Sequence, residues 1–149
     1  PLSDTVNEFL QSVNIPIDYG YGLSETTATV CFYPEIGFQF GSIGEVMPGV
    51  QVKIDPGNNE ILVKGKTVMS GYYNKPEETK RAFTEDGFFR TGDAGRLEGN
   101  TLFFTERIKD LYKTSNGKYI APQAIEMVMS GDNYIEQIAV KIRTVVYPL

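Results

Sequence analysis

The sequence predicts an α+β fold centred on a distorted antiparallel, β-barrel-like subdomain. Three observations lead there. Fifteen glycines and eight prolines in 149 residues place turns at short intervals. Val50, Val52 and Ile54 alternate with polar residues, the period of a strand with one buried face. The pattern also changes style twice, near Gly41 and after Arg107. This leaves a sliver of α/β layer before the β-rich part and the start of a small α+β region after it.

The first style is helical. Leu2, Val6, Phe9, Leu10 and Val13 fall at helical spacing behind Ser3, a suitable N-cap. Ile15-Pro16-Ile17-Asp18-Tyr19 reads as a strand, with Pro16 near its start, where no ladder donor is required. In the second style, Pro56-Gly57-Asn58-Asn59 turns the chain so that Glu60–Lys64 returns antiparallel to Val50–Ile54. Pro76–Phe83 reads as a two-turn helix with proline and acids in its first turn. Phe88–Thr91 is a strand, and Arg96-Leu97 and Thr101–Phe104 flank Glu98-Gly99-Asn100 as a hairpin. In the third style, Leu111–Thr114 and Tyr119-Ile120 bracket a tight turn at Ser115–Lys118. A helix then runs from Pro122 through Ile125, Val128 and Met129 and stops at Gly131. Ile135–Val146 is a β-type run longer than the common strand of about 5–6 residues, which reads as an interrupted or incomplete element.

Composition narrows the chemistry. An apolar fraction of 41% suits a globular core. The net charge of −5 argues against nucleic acid as a partner, though a nucleotide needs only a few local cations and backbone donors. Histidine is absent and Cys31 is the single cysteine, which excludes a histidine base, an intramolecular disulfide and the common zinc and haem sites. Neither a membrane span nor a signal-peptide pattern is present, so a cytoplasmic location is expected.

Three motifs carry chemistry. In Tyr19-Gly20-Tyr21-Gly22-Leu23-Ser24-Glu25-Thr26, two glycines let backbone approach a flat ligand, and Tyr21 offers a stacking face. Ser24 supplies a hydroxyl for a phosphate oxygen, and Glu25 a hard carboxylate suited to magnesium. The same residues equally suit a glycine turn opening a helix, with Ser24 as the cap. In Arg90-Thr91-Gly92-Asp93, Asp93 is expected on the turn beyond a strand, where it accepts from a vicinal diol such as ribose or closes an Asx turn. Glu106-Arg107-Ile108-Lys109-Asp110 reads as an arginine clamp, a hinge or a solvated linker.

In order and spacing these motifs, with Asn59–Gly65 and Gly71-Tyr72-Tyr73 between them, resemble the adenylate-forming superfamily of acyl-CoA synthetases, luciferases and peptide-synthetase adenylation domains. The resemblance runs from about Pro1 to Val140, and Thr114–Gln123 is most like the long-chain fatty-acid–CoA ligase branch. It implies a C-terminal piece of an enzyme using fatty acid, ATP, coenzyme A and magnesium, with AMP and pyrophosphate as products. Tyr21 would stack on adenine and Gly22 line its pocket. Ser24, where the family more often has threonine, would contact the α-phosphate, and Glu25 would ligate magnesium. Asp93 would hold the ribose with help from Arg107. Lys109 would be the hinge of a C-terminal lid, and Gly117 would lie on the lid turn. Glu106 stands where glycine or aspartate is frequent. The implied division is 1–40 for the end of an α/β adenylate-binding subdomain, 41–106 for the β-rich subdomain, 107–110 for the hinge and 111–149 for the lid.

The family's phosphate loop and its C-terminal catalytic lysine have no counterpart in these 149 residues, so the chain alone is expected to be inactive. Peripheral membrane association is compatible with the parent enzyme, and self-association with the exposed first piece. Two other readings stay open: another acyl- or aryl-CoA ligase or adenylation domain, and a noncatalytic β-rich binding module.

Overall fold

A computed structural model describes residues 4–15, 17–33, 39–108, 112–113, 119–120, 122–129, 131–132 and 134–140. The chain forms two compact units, Pro1–Thr105 and Glu106–Leu149.

In the first unit a helix, α1 (Asp4–Ser12), precedes two short strands, β1 (Gly20–Tyr21) and β2 (Cys31–Phe32), with a 3-10 turn at Ser24–Thr26 between them. There follow β3 (Gly44–Val46), β4 (Val50–Ile54), β5 (Glu60–Gly65), helix α2 (Pro76–Ala82), β6 (Phe89–Glu98) and β7 (Thr101–Arg107). The strands make one seven-stranded sheet in the order β1-β2-β3-β7-β6-β5-β4. Strands from either side of residue 40 share it, since Cys31 pairs with Val46. The predicted β4–β5 pairing is present, with Val52 opposite Val63, and so is the β6–β7 hairpin.

The sheet is open, with β1 and β4 as its edges, yet it curls strongly. Strands β3 and β4 lie third and last in the order but are joined only by Met47–Gly49. Four strand spacings across a flat sheet are about 19 Å. The chain from Val46 to Val50 reaches at most about 14 Å. Only a sheet bent towards a barrel allows that connection, which is why the β-rich part is barrel-like without closing.

Val30, Cys31, Ile43, Ile61, Val63 and Leu102 form the core inside the curl. Strand β5 breaks the alternating pattern, because Glu60, Ile61, Leu62 and Val63 are all buried. Next to it, Phe83, at the end of α2, meets Phe89 of β6 edge-on at 5.6 Å between ring centres. Cys31 is wholly buried, its thiol donates to the Ile43 carbonyl at 3.0 Å, and burial pushes its pKa up to about 12.

Two predicted strands are corrected. Ile15 and Ile17–Tyr19 form no strand, and the ladder begins at Gly20, because β2 pairs back only as far as Gly20 and Tyr21. Ile135–Val140 form no strand either. Asp132 accepts from the Tyr134 and Ile135 amides in a turn, and the Val140 amide goes to Glu126 at 2.7 Å, so these groups join no ladder. The rest of that run, 141–146, lies outside the described residues, as do Ser3 and the turn at 115–118. The second unit has a two-stranded ladder of β8 (Tyr112–Lys113) and β9 (Tyr119–Ile120), then helix α3 (Pro122–Met129) where the sequence expects them.

Ile61→Ala removes a fully buried side chain and is expected to lower stability in urea unfolding by about 2–5 kcal/mol. Tyr73→Ala, at a residue 91% exposed, is expected to change it by less than about 0.5 kcal/mol. Native Cys31 is expected to resist thiol reagents at pH 8 and to react fully once urea unfolds the chain; fast labelling of the folded protein would contradict its burial.

Candidate adenylate-binding half-site

Strand β6 is interrupted by a bulge. Glu60 pairs with Ala94 and Leu62 with Arg90, so two steps along β5 (60 to 62) face four along β6 (90 to 94). The surplus residues are accommodated around Thr91, Gly92 and Asp93, and Gly92 adopts a left-handed φ of 75° suited to glycine. Asp93 therefore lies inside a strand, neither on a turn beyond one nor in an Asx turn closing a hairpin. The strand does not end at Thr91 because β5 and β7 flank it on both sides.

The bulge is fixed by side chains. The Gly92 amide donates to Glu60 Oε1 at 2.9 Å, while Arg90 Nη1 holds Glu60 Oε2 at 3.0 Å. The Thr91 hydroxyl donates to the Ile61 carbonyl at 2.7 Å and accepts the Asp93 amide at 3.1 Å. Backbone groups unpaired by the bulge are thereby satisfied, each of which would otherwise cost about 1–3 kcal/mol. Asp93 itself is 3% exposed.

Tyr21 meets Asp93 across 72 residues, its phenol donating to Asp93 Oδ2 at 2.8 Å. Burial is the main reason the Tyr21 pKa rises well above the usual phenol value, with the Asp93 charge adding to it. The phenol therefore stays protonated, and stays a donor, throughout the neutral range. The candidate base-stacking and ribose-binding residues are thus in direct contact.

Beyond Tyr21 the chain reverses within a few residues. Thr27 and Ala28 take left-handed φ values of 53° and 71°, strained for residues with a Cβ. The reversal brings the Ala28 peptide over Gly22, where an added Cβ would lie 2.0 Å from the Ala28 carbonyl oxygen. Glycine at 22 is required by chain packing whatever else it lines. Ser24 is not the cap. That position belongs to Leu23, whose amide donates to Thr26 Oγ1 at 2.9 Å. The Ser24 side chain is exposed and left available, because the fully buried Thr26 does the capping. Glu25 Oε1 accepts the Tyr72 hydroxyl at 2.9 Å.

Arg107 is the last residue of β7, is exposed, and belongs to the second unit. Lys109 and Gly117 lie outside the described residues. Glu60, Thr91, Thr26 and Tyr72 were missed as site residues. A glutamate opening the apolar run Ile61-Leu62-Val63 was the available signal for a buried carboxylate with backbone work to do.

Among the described residues no cluster of three or more acidic, cysteine or histidine side chains could hold a metal ion unaided. Glu25 alone still fits magnesium, which is usually bound by one or two carboxylates together with substrate phosphates and water. No helix among the described residues is long and apolar enough to cross a membrane.

The chain belongs to the adenylate-forming, AMP-binding enzymes, and the AMP-binding enzyme family pattern matches residues 1–73. It is 35% identical over 151 residues to long-chain-fatty-acid–CoA ligase 1 of Saccharomyces cerevisiae, covering 94% of this chain and 22% of that protein. It is 37% identical over 140 residues to long-chain-fatty-acid–CoA ligase 2 of Schizosaccharomyces pombe, covering 84% and 20%. It therefore spans about a fifth of the length of these relatives. Among solved structures it resembles the O-succinylbenzoate coenzyme A synthetase of Bacillus subtilis in complex with AMP, with a TM-score of 0.75 at 26% identity over 89% of this chain and 30% of that one. The same enzyme in complex with ATP and magnesium ion gives 0.73 at 27% identity, over 87% and 29%.

The raised Tyr21 pKa sets a pH dependence. Between the ordinary phenol value near 10 and the higher folded value, the unfolded chain releases a proton that the folded chain keeps. The stabilisation from this difference is complete below about pH 10 and is lost as pH rises beyond it. The urea midpoint is expected to fall above pH 10, and less steeply in Tyr21→Phe; equal slopes would contradict the buried phenol.

Proposed function

We propose that the chain is the nucleotide-binding part of an AMP-forming long-chain fatty-acid–CoA ligase. The observation that carries this is the Tyr21–Asp93 hydrogen bond, which brings a ring suited to stacking on a base against a carboxylate suited to accepting from a diol. The likeness to two yeast fatty-acid–CoA ligases supports the acyl class.

In this reading Tyr21 stacks on adenine, Gly22 lines the base pocket and Asp93 accepts from the ribose hydroxyls with Arg107 assisting. Ser24 donates to an α-phosphate oxygen, and Glu25 ligates magnesium. A bound magnesium ion offsets charge on the phosphates. The fatty-acid carboxylate attacks the α-phosphorus of ATP, forming acyl-adenylate and releasing pyrophosphate. The coenzyme A thiol then attacks the acyl carbonyl, giving the thioester, AMP and a proton. The resemblance implies a hinge role for Lys109 and a role on a lid turn for Gly117, both outside the described residues. For the parent enzyme the reading includes a cytoplasmic location and peripheral membrane association. The exposed Val6, Phe9 and Val13 favour self-association of the isolated chain.

A second acid class is favoured by one observation, the structural likeness to the O-succinylbenzoate enzyme. A panel of acids offered to the intact enzyme separates it from the fatty-acid reading.

The 149-residue chain is expected to bind AMP in calorimetry, and Asp93→Ala to weaken that binding by about 10- to 100-fold, the loss for hydrogen bonds to a charged group. No binding, or equal binding by both, would overturn the half-site. The chain alone is expected to form no acyl-CoA; turnover by the purified chain would contradict its assignment as a part.

A further inference from the structure

The segment after β5 crosses the Ser24–Thr26 turn as a strap. The Thr27 hydroxyl donates to the Thr67 carbonyl at 2.7 Å. The Met69 amide donates to the Glu25 carbonyl at 2.8 Å. The Tyr72 phenol donates to Glu25 Oε1 at 2.9 Å, across 47 residues. Glu25 is therefore held twice by the same strap, once through its backbone and once through its carboxylate. Tyr72 is in turn fixed from helix α2, because its amide donates to Thr79 Oγ1 at 2.9 Å and that hydroxyl donates to the Lys75 carbonyl at 2.8 Å.

Glutamate has three side-chain torsions, and an exposed one ordinarily samples several rotamers. A carboxylate that must meet a cation already bound to nucleotide phosphates gains from having that freedom removed beforehand. A phenol suits this purpose. It donates a single hydrogen bond and stays neutral, so it orients one oxygen without cancelling the charge that attracts the cation. Oε2 has no partner among the described residues.

We propose that Tyr72 is a positioning residue for Glu25, holding Oε1 so that Oε2 faces a divalent cation arriving with nucleotide. The proposal rests on the reading of Glu25 as the metal carboxylate. It adds a residue outside the Tyr19–Thr26 motif and assigns the Met69–Tyr72 strap a role in metal affinity as well as in packing.

The test uses manganese as the probe, titrated into the 149-residue chain with ATP and followed by electron paramagnetic resonance, alongside calorimetry of AMP without metal. Glu25→Gln is expected to abolish the protein-dependent manganese signal. Tyr72→Phe is expected to weaken manganese binding by about 10-fold or more, the usual cost of losing a group that orients a ligand, with metal-free AMP affinity unchanged. Tyr73→Phe, at the exposed neighbour, is expected to behave as wild type. Wild-type manganese affinity in Tyr72→Phe alongside loss in Glu25→Gln would overturn the role of Tyr72 and leave Glu25 standing. Equal loss of manganese and AMP affinity in Tyr72→Phe would overturn it too, by showing general damage to the fold. Unchanged binding in Glu25→Gln, or none in the wild type, would overturn the reading of Glu25 and this inference with it.

Discussion

The bulge in β6 is the constraint on which the site depends. A regular β6 opposite β5 would alternate its side chains strictly between the two faces. The two extra steps between Arg90 and Ala94 interrupt that alternation at Thr91, Gly92 and Asp93 while the strand continues on either side. A bulge leaves backbone groups without ladder partners, and here the Glu60 carboxylate and the Thr91 hydroxyl take them up. Both oxygens of the buried Glu60 carboxylate have partners, because Arg90 and the Gly92 amide donate to them. The acid that opens β5 thus supports the acid that faces the candidate site.

Curling of the sheet brings the other half of the site to this point. Tyr21 lies on edge strand β1, four places from β6 in the strand order, yet its hydroxyl reaches Asp93. The short β3–β4 connection forces the same curvature, so the geometry that closes the core also joins the two motifs. Strand β5 and the strap after it serve both parts. Glu60 anchors the bulge, while Met69 and Tyr72 hold the turn that carries Glu25. The segment between the two family motifs supports both of them.

Strain is concentrated where chemistry is proposed. Thr27 and Ala28 hold consecutive left-handed conformations directly after the Ser24–Thr26 turn, at a cost of order 1–3 kcal/mol each. The Thr27 hydroxyl bond to the strap, the Ala28 amide bond to Leu23 and the buried Thr26 offset that cost. One result is a reversal tight enough to demand glycine at 22. Another is a serine hydroxyl held at the surface while the threonine two residues later caps the turn.

Much of the fold was legible in the sequence because it is set by neighbours a few residues apart. The β4–β5 hairpin follows from alternation around Pro56–Asn59, α2 from proline and acids ahead of basic residues, and α3 from apolar spacing stopped near Gly131. The candidate residues Tyr21, Ser24, Glu25 and Asp93 were legible as chemical groups, with capping and turn-closing uses open beside the binding ones. Their arrangement was not legible. Ile17–Tyr19 have strand composition, but a strand exists only where another pairs with it, and the pairing with β2 begins at Gly20. Gly92-Asp93 looks like a turn locally and becomes a bulge because β5 and β7 flank β6 on both sides. The bonds from Tyr21 to Asp93 and from Tyr72 to Glu25 span 72 and 47 residues, distances at which periodicity carries no signal. The sequence by itself determined the local elements and the inventory of reactive groups. Only the tertiary structure decided which groups meet, because sheet register and curvature are properties of many strands together.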